Sequence, residues 1–321
     1  VTVCRAISVV LLLLTCLSKA GTLYSTQFEE FTAGDNRWSG TGGWVATATS
    51  GGVQGISQDP VADLPLGKAA FLGYARPSSA SIAVYRPINH NPATSGASRI
   101  EFDSLLGVQD STGTHRDRFY ISFYNMTGDF LGAVIFDNTT GKVLSDDGVT
   151  VRDTGVEFLR GDQIFGIAAL QILKVGIDLD LNQWEASLDS VPLFKQKFNS
   201  AQKALTLGSV AVEWDIAAGA PGQAGDNWML VADWLVASIP PGPFKVNSFA
   251  RSGEGQGLLS WPSDTGFDYQ VQYSEDLKTW KSDLLGSRFA AIKTQGTLSF
   301  NDPSPTQATG RYYRVLRLPT P

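Results

Sequence analysis

The sequence predicts an all-β protein, a large β-sandwich or jelly roll followed by a smaller sandwich. Three observations predict it. Apolar and polar residues alternate with a period of two in most segments, as in Lys174-Val175-Gly176-Ile177-Asp178-Leu179-Asp180-Leu181; successive side chains of a strand point to opposite faces, so this alternation marks a half-buried strand. Capped helical patterns of ten or more residues are scarce, 163–173 being the one ambiguous run. Glycine-rich turns separate many short β-branched and aromatic runs, the pattern of sandwiches rather than of strand–helix units.

In chain order, residues 1–20 place Arg5 ahead of an apolar run from Val9 to Leu14, and then Ser18-Lys19-Ala20. A basic start, an apolar centre and small residues at a cleavage site are the order of a secretory signal peptide, with Gly21 as the expected mature start. A secreted or cell-surface location, extracellular or periplasmic, follows as an expectation, and the apolar run is far shorter than the roughly 20 residues needed to span a membrane. Arg118–Tyr124 and Phe130–Phe136 form a hairpin around Asn125-Met126-Thr127-Gly128-Asp129, and Trp184–Asp189 continues the strand that begins at Lys174. Further strands are expected at 81–86, 98–103, 163–167, 208–216 and 228–238. Pro240-Pro241-Gly242-Pro243 breaks the pattern. Proline lacks the donor a central strand needs, so 240–243 is expected to be a stiff linker between a domain at 21–239 and a second at 244–321.

The formal net charge is −6, and the only charged residues before position 21 are Arg5 and Lys19, which leaves −8 from Gly21 onward. Nucleic acid and anionic membranes call for clustered positive charge, so neither is an expected partner. Both cysteines, Cys4 and Cys16, lie in the first twenty residues, and the chain has two histidines, His90 and His115. A thiol nucleophile, cysteine-ligated zinc and structural disulfides are thereby excluded from the chain beyond residue 20. A cysteine-free exported chain must be held by its core, which favours one large sandwich over several small modules.

Leu259-Ser260-Trp261, Tyr269–Ser274 with Asp276-Leu277-Lys278-Thr279-Trp280, and Arg311-Tyr312-Tyr313-Arg314-Val315 resemble a fibronectin type III-like module, as at the C-termini of exported bacterial surface proteins. The chain ends at Pro321, which leaves little room for the last strand of that fold. Gly176-Ile177-Asp178-Leu179, Trp184–Asp189 and the closing Gly225–Trp234 make residues 21–239 similar to a concanavalin A-like, or laminin G-like, jelly roll. Kinship of that kind implies glycan binding or adhesion, and it includes glycoside hydrolases whose strand carries E-x-D-x-E or E-x-D-x-x-E. Glu213-Trp214-Asp215 begins that motif, but Ile216, Ala217 and Ala218 follow and the second glutamate is missing.

A retaining hydrolase needs two carboxyls on the scissile bond, so the leading expectation is non-catalytic binding of a polysaccharide or cell-surface glycan. The alternatives are a polysaccharide lyase or hydrolase and a structural envelope component. For a lyase, His115 with Tyr120 is the candidate pair, Tyr120 sharing a strand face with Arg118. His90 sits in a Pro/Asn stretch that reads as a loop. Trp38 and Trp44, among Gly40, Gly42 and Gly43, and Trp228, beside Asp226-Asn227, lie nearest loops and are the candidate sugar platforms; Trp184, Trp214, Trp234 and Trp261 read as core. Only oxygen ligands are available for a metal, which points to calcium. Asp178, Asp180, Asn182 and Asp189 imitate an EF-hand loop, but Gln183 replaces its glycine, so they read as a hairpin. The resemblance to carbohydrate-binding jelly rolls implies a different structural Ca2+, held by Glu29 or Glu30 on the first strand and Asp233 on the last.

Overall fold

A computed structural model describes residues 21–47, 54–58, 67–73, 75, 79–161, 170–199, 203–217, 219–239, 248–251, 257–263, 267–276, 278–290, 296–303 and 312–319. The stretches read as a signal peptide (1–20) and as a linker (240–243), and the strand expected at 163–167, lie outside these residues. The chain divides into two compact units, Val1–Asn91 with Arg99–Ile239, and Pro92–Ser98 with Pro240–Pro321.

The larger unit is a jelly-roll-like sandwich of two large sheets, antiparallel apart from one two-residue pairing. Strands are numbered in chain order. The nine-stranded sheet runs β14 (Val191–Lys197), β13 (Gln183–Leu188), β12 (Gln171–Asp178), β6 (Arg99–Gln109), β16 (Trp228–Ile239), β4 (Lys68–Gly73) and β3 (Gln54–Gln58), with β1 (Gly21–Thr26) beside β16 and β11 (Arg160–Gly161) beside β6. The seven-stranded sheet runs β10 (Val151–Glu157), β9 (Lys142–Asp146), β8 (Phe130–Asp137), β7 (Arg118–Tyr124), β15 (Leu207–Asp215), β5 (Ser81–His90) and β2 (Val45–Ala46). His90, expected in a loop, ends β5 and is buried, because the strand runs four residues beyond the stretch read from sequence and pairs His90 with Leu207 of β15.

The two sheets share one aromatic core. Phe102 of β6 meets Phe123 of β7 edge-on at 5.7 Å, and Trp234 of β16 meets Phe102 at 4.7 Å and Trp44 at 5.0 Å. Trp38 and Trp44 correct the sequence reading: they are 0% and 1% exposed and stack on each other at 4.7 Å. The cause is the glycine turn between them. Gly40, Gly42 and Gly43 take positive φ, Gly40 N–H donates to the Trp44 carbonyl, and the chain doubles back so that both indoles point inward. Removing one tryptophan side chain from water is worth about 4–6 kcal/mol at roughly 25 cal/mol/Å². With no cysteine beyond Cys16, that burial is the means the chain has of closing the sandwich.

The carboxylates of the EF-hand-like run are separated by the β12–β13 hairpin. Asp178 accepts Leu181 N–H at 3.0 Å in the turn, while Asp189 accepts Ile172 N–H at 2.8 Å at the far end.

The second unit pairs β17 (Ser248–Arg251), β18 (Gly257–Ser263) and β21 (Gly296–Asn301) in one sheet, and β20 (Arg288–Phe289), β19 (Phe267–Ser274) and β22 (Tyr312–Pro319) in another. Trp261, Tyr269, Val271 and Phe300 form its core.

Candidate functional site

The outer face of the seven-stranded sheet gathers side chains that the sequence keeps apart. On β7 the core takes Phe119, Ile121 and Phe123, each 0% exposed, so the period of two turns Arg118, Tyr120, Ser122 and Tyr124 outward. On β15 the core takes Val210, Val212 and Trp214, which turns Ser209, Ala211, Glu213 and Asp215 outward. The antiparallel register then sets Glu213 opposite Tyr120 and Asp215 opposite Arg118.

Each tyrosine leans along the sheet to a carboxylate. Tyr124 hydroxyl donates to Glu213 Oε1 at 2.6 Å, and Tyr120 hydroxyl lies 3.5 Å from Asp215 Oδ2. Tyr124 stands opposite Ser209, so its reach to Glu213 passes over Ser122 and Ala211. Both of these small residues are fully buried although they face outward, which shows how closely the larger side chains cover the sheet there. Phe130 packs edge-on against the Tyr124 ring at 5.6 Å, and Arg118 Nη2 reaches Asp137 Oδ2 at 3.4 Å.

Burial sets the proton affinities of this row. It pushes the Glu213 carboxyl up, against the hydrogen bond from Tyr124, and pushes Asp215 up against the nearby Arg118 guanidinium. Tyr120 is raised to about 12 by burial and by the Asp215 charge, and Tyr124 is raised by burial and by Glu213. The phenols therefore stay protonated across the physiological range and act as donors to carboxylates, which remain acceptors for other hydroxyls. Rings beside carboxylates match a polyhydroxylated ligand, whose C–H face packs on aromatic surface and whose hydroxyls donate.

Glu213 and Asp215 were legible as a strand-borne pair, but the tyrosines were not read as their partners. The signal was present in Arg118–Tyr124, whose alternation puts both tyrosines on one face. His115 does not form the expected pair with Tyr120. It is exposed in the loop before β7, and the Tyr120 hydroxyl turns to Asp215 instead. Trp228 stands on the other sheet, half-buried against Ala69, Leu230 and Ala232, so none of the three tryptophans read as platforms belongs to this face.

Glu29, Glu30 and Asp233 do come together, on the outer face of the nine-stranded sheet, where all three line a cavity of about 420 Å³. The two glutamates lie in the turn after β1 rather than on it. Each carboxylate is turned to a partner of its own. Glu29 accepts Lys68 N–H at 3.0 Å, Glu30 accepts the Thr26 hydroxyl at 2.6 Å, and Asp233 lies near the Gln27 side chain, which favours its ionised form against burial. Among the described residues no group of three or more His, Cys, Asp or Glu is placed to hold a metal ion.

No protein-family model matches the chain, and no curated protein matches it in sequence. Among solved structures the chain is similar to a sialidase, with a TM-score of 0.45 and 10% identity over 68% of this chain. The chain spans 19% of the length of that sialidase. It is also similar to a conserved carbohydrate esterase from the Shiga toxin-encoding bacteriophage phi24B (TM-score 0.44, 16% identity, 68% of this chain and 99% of that one). A third likeness is to the carbohydrate recognition domain of Emp47p (TM-score 0.43, 11% identity, 69% and 97%). Among the described residues no helix is long and apolar enough to cross a membrane.

Proposed function

We propose that the larger unit is a non-catalytic glycan-binding module that takes a polysaccharide or cell-surface glycan along the outer face of the seven-stranded sheet. The observation that carries this is the Tyr124–Glu213 hydrogen bond at 2.6 Å beside the Tyr120–Asp215 contact at 3.5 Å, which fixes two rings and two acceptors in one row across β7 and β15. Residues 1–20 support an exported protein, and the second unit serves as a spacer or docking module.

The test is affinity electrophoresis of the full chain through gels carrying a panel of soluble polysaccharides. At least one polysaccharide is expected to retard the wild type, and Tyr120→Ala and Tyr124→Ala are each expected to weaken retardation about two- to tenfold, since an aromatic contact is worth about 0.5–1.5 kcal/mol. Unretarded migration on every gel, or retardation that both variants keep, refutes the reading.

One observation favours hydrolysis as a second reading. Glu213 and Asp215 sit at i and i+2 of one strand, so both carboxyl groups stand on its outer face, as the acid and base of a glycosidase must flank one bond. Burial also favours a protonated Glu213, as a general acid requires. Against it, Asp215 is raised as well and lies beside Arg118, which leaves no carboxylate set apart as base. Release of reducing ends from the retained polysaccharide, abolished in Glu213→Gln, would decide for the enzyme.

A further inference from the structure

The cavity on the nine-stranded sheet is a built feature of the fold. Along β16 the core takes Met229 and Val231, then Trp234 and Val236. The parity changes because the pairing with β6 skips a residue between Val231 and Asp233. Without that bulge Asp233 would point into the core with Met229 and Val231; with it, Asp233 faces out, opposite Leu105. The outward positions of three adjacent strands then form the base of the cavity, with Leu105 from β6, Ile172 from β12 and Leu235 from β16. The turn after β1 supplies a wall, held by Phe28, which is fully buried.

The charges of this cavity do not balance. Asp103 pairs with Lys174 at 3.8 Å, and Glu29 with Lys68 at 3.8 Å. Glu30 and Asp233 have only neutral partners among the described residues, the Thr26 hydroxyl and Gln27. The base is apolar under a polar rim, and the volume falls within the range of pockets that enclose small molecules.

From the apolar base and the two acids without a cation, we propose that this cavity binds a primary ammonium group carried on a compact carbon body. An amino sugar and a lysine-like aliphatic amine share that chemistry. The ammonium sits between Asp233 and Glu30, and the carbon body covers Leu105 and Ile172. This site lies on a different sheet from the glycan face and stands independently of it.

Ligand-observed NMR and titration calorimetry on the full chain, with glucosamine, cadaverine, glucose and Ca2+ as separate probes, test the proposal. Glucosamine or cadaverine is expected to bind while glucose gives no signal, and the tighter of the two identifies the source of the amine. Asp233→Asn is expected to weaken amine binding at least tenfold. Leu105→Trp, which fills the base without touching the charges, is expected to abolish it, with thermal melts confirming that both variants are folded. Binding of neither amine, undiminished binding in both variants, or tight Ca2+ binding that no amine competes with would overturn the proposal.

Discussion

The hydroxyl of Tyr124 does two things at once: it satisfies a carboxylate that burial has made costly, and it orients its own ring. Its removal is therefore measurable without any ligand. Tyr124→Phe is expected to cost about 1.5 kcal/mol, the range for a hydrogen bond to a charged acceptor, read from urea denaturation at neutral pH. The same change raises the Glu213 pKa further, because the lost bond favoured the ionised form. Glu213 already titrates above its unfolded value, so its contribution to stability is fully present at low pH and is lost as pH rises through the folded pKa. Glu213→Gln removes that loss. The variant is expected to gain stability over the wild type at pH 8 and to gain less or nothing near pH 4, in paired thermal melts. An equal difference at both pH values would show that Glu213 is not held up by burial.

At the scale of elements, the sheet register depends on places where backbone approaches backbone. A Cβ on Gly208 of β15 would collide with the Asn125 carbonyl, so Gly208→Ala must displace the turn that joins β7 to β8. The expected cost is about 1–3 kcal/mol, or roughly 2–4 °C in Tm per kcal/mol for a unit of this size, and a melt unchanged from wild type would contradict the register. Such contacts also mark where reading the sequence stops. The β12–β13 hairpin was legible because both strands carry an unbroken period of two, and the β7–β8 hairpin because two aromatic and β-branched runs flank a short polar turn. The bulge in β16 was not, since Trp228–Ile239 is apolar on both faces and a change of parity inside it leaves no trace in composition. The inward turn of Trp38 and Trp44 was equally hidden. Glycines beside tryptophan suit an exposed loop and a tight reversal alike, and the choice is made by the partners Phe28 and Trp234, the second nearly two hundred residues away.

For the molecule as a whole, two populations of carboxylates oppose each other with pH. Glu213, Asp215, Asp103 and Asp233 are raised by burial. Asp147 is pushed up by burial, but hydrogen bonds from Arg152 and from the Thr150 and Val149 amides outweigh this and bring it below the usual range. Asp276 is held at about 2 by the Thr279 and Lys278 amides and the Ser274 hydroxyl. The stability from the lowered group is present above the unfolded carboxylate pKa and disappears as pH falls toward 2. Asp276→Ala is thus expected to lower the Tm of the second unit at pH 6, followed by the methyl NMR signals of Val271 and Leu259, and the gap to wild type should close between pH 4 and pH 2. A gap that persists at pH 2 would place the effect in the turn conformation rather than in the charge. Above these local balances stands the claim that a glycan lies across β7 and β15. The most direct measurement is fluorine NMR of the full chain labelled with 3-fluorotyrosine, titrated with a polysaccharide that retards it in gels. Of the nine tyrosines, the resonances of Tyr120 and Tyr124 are predicted to move together with saturation. Shifts confined to other tyrosines, with these two unmoved at saturation, would contradict the account.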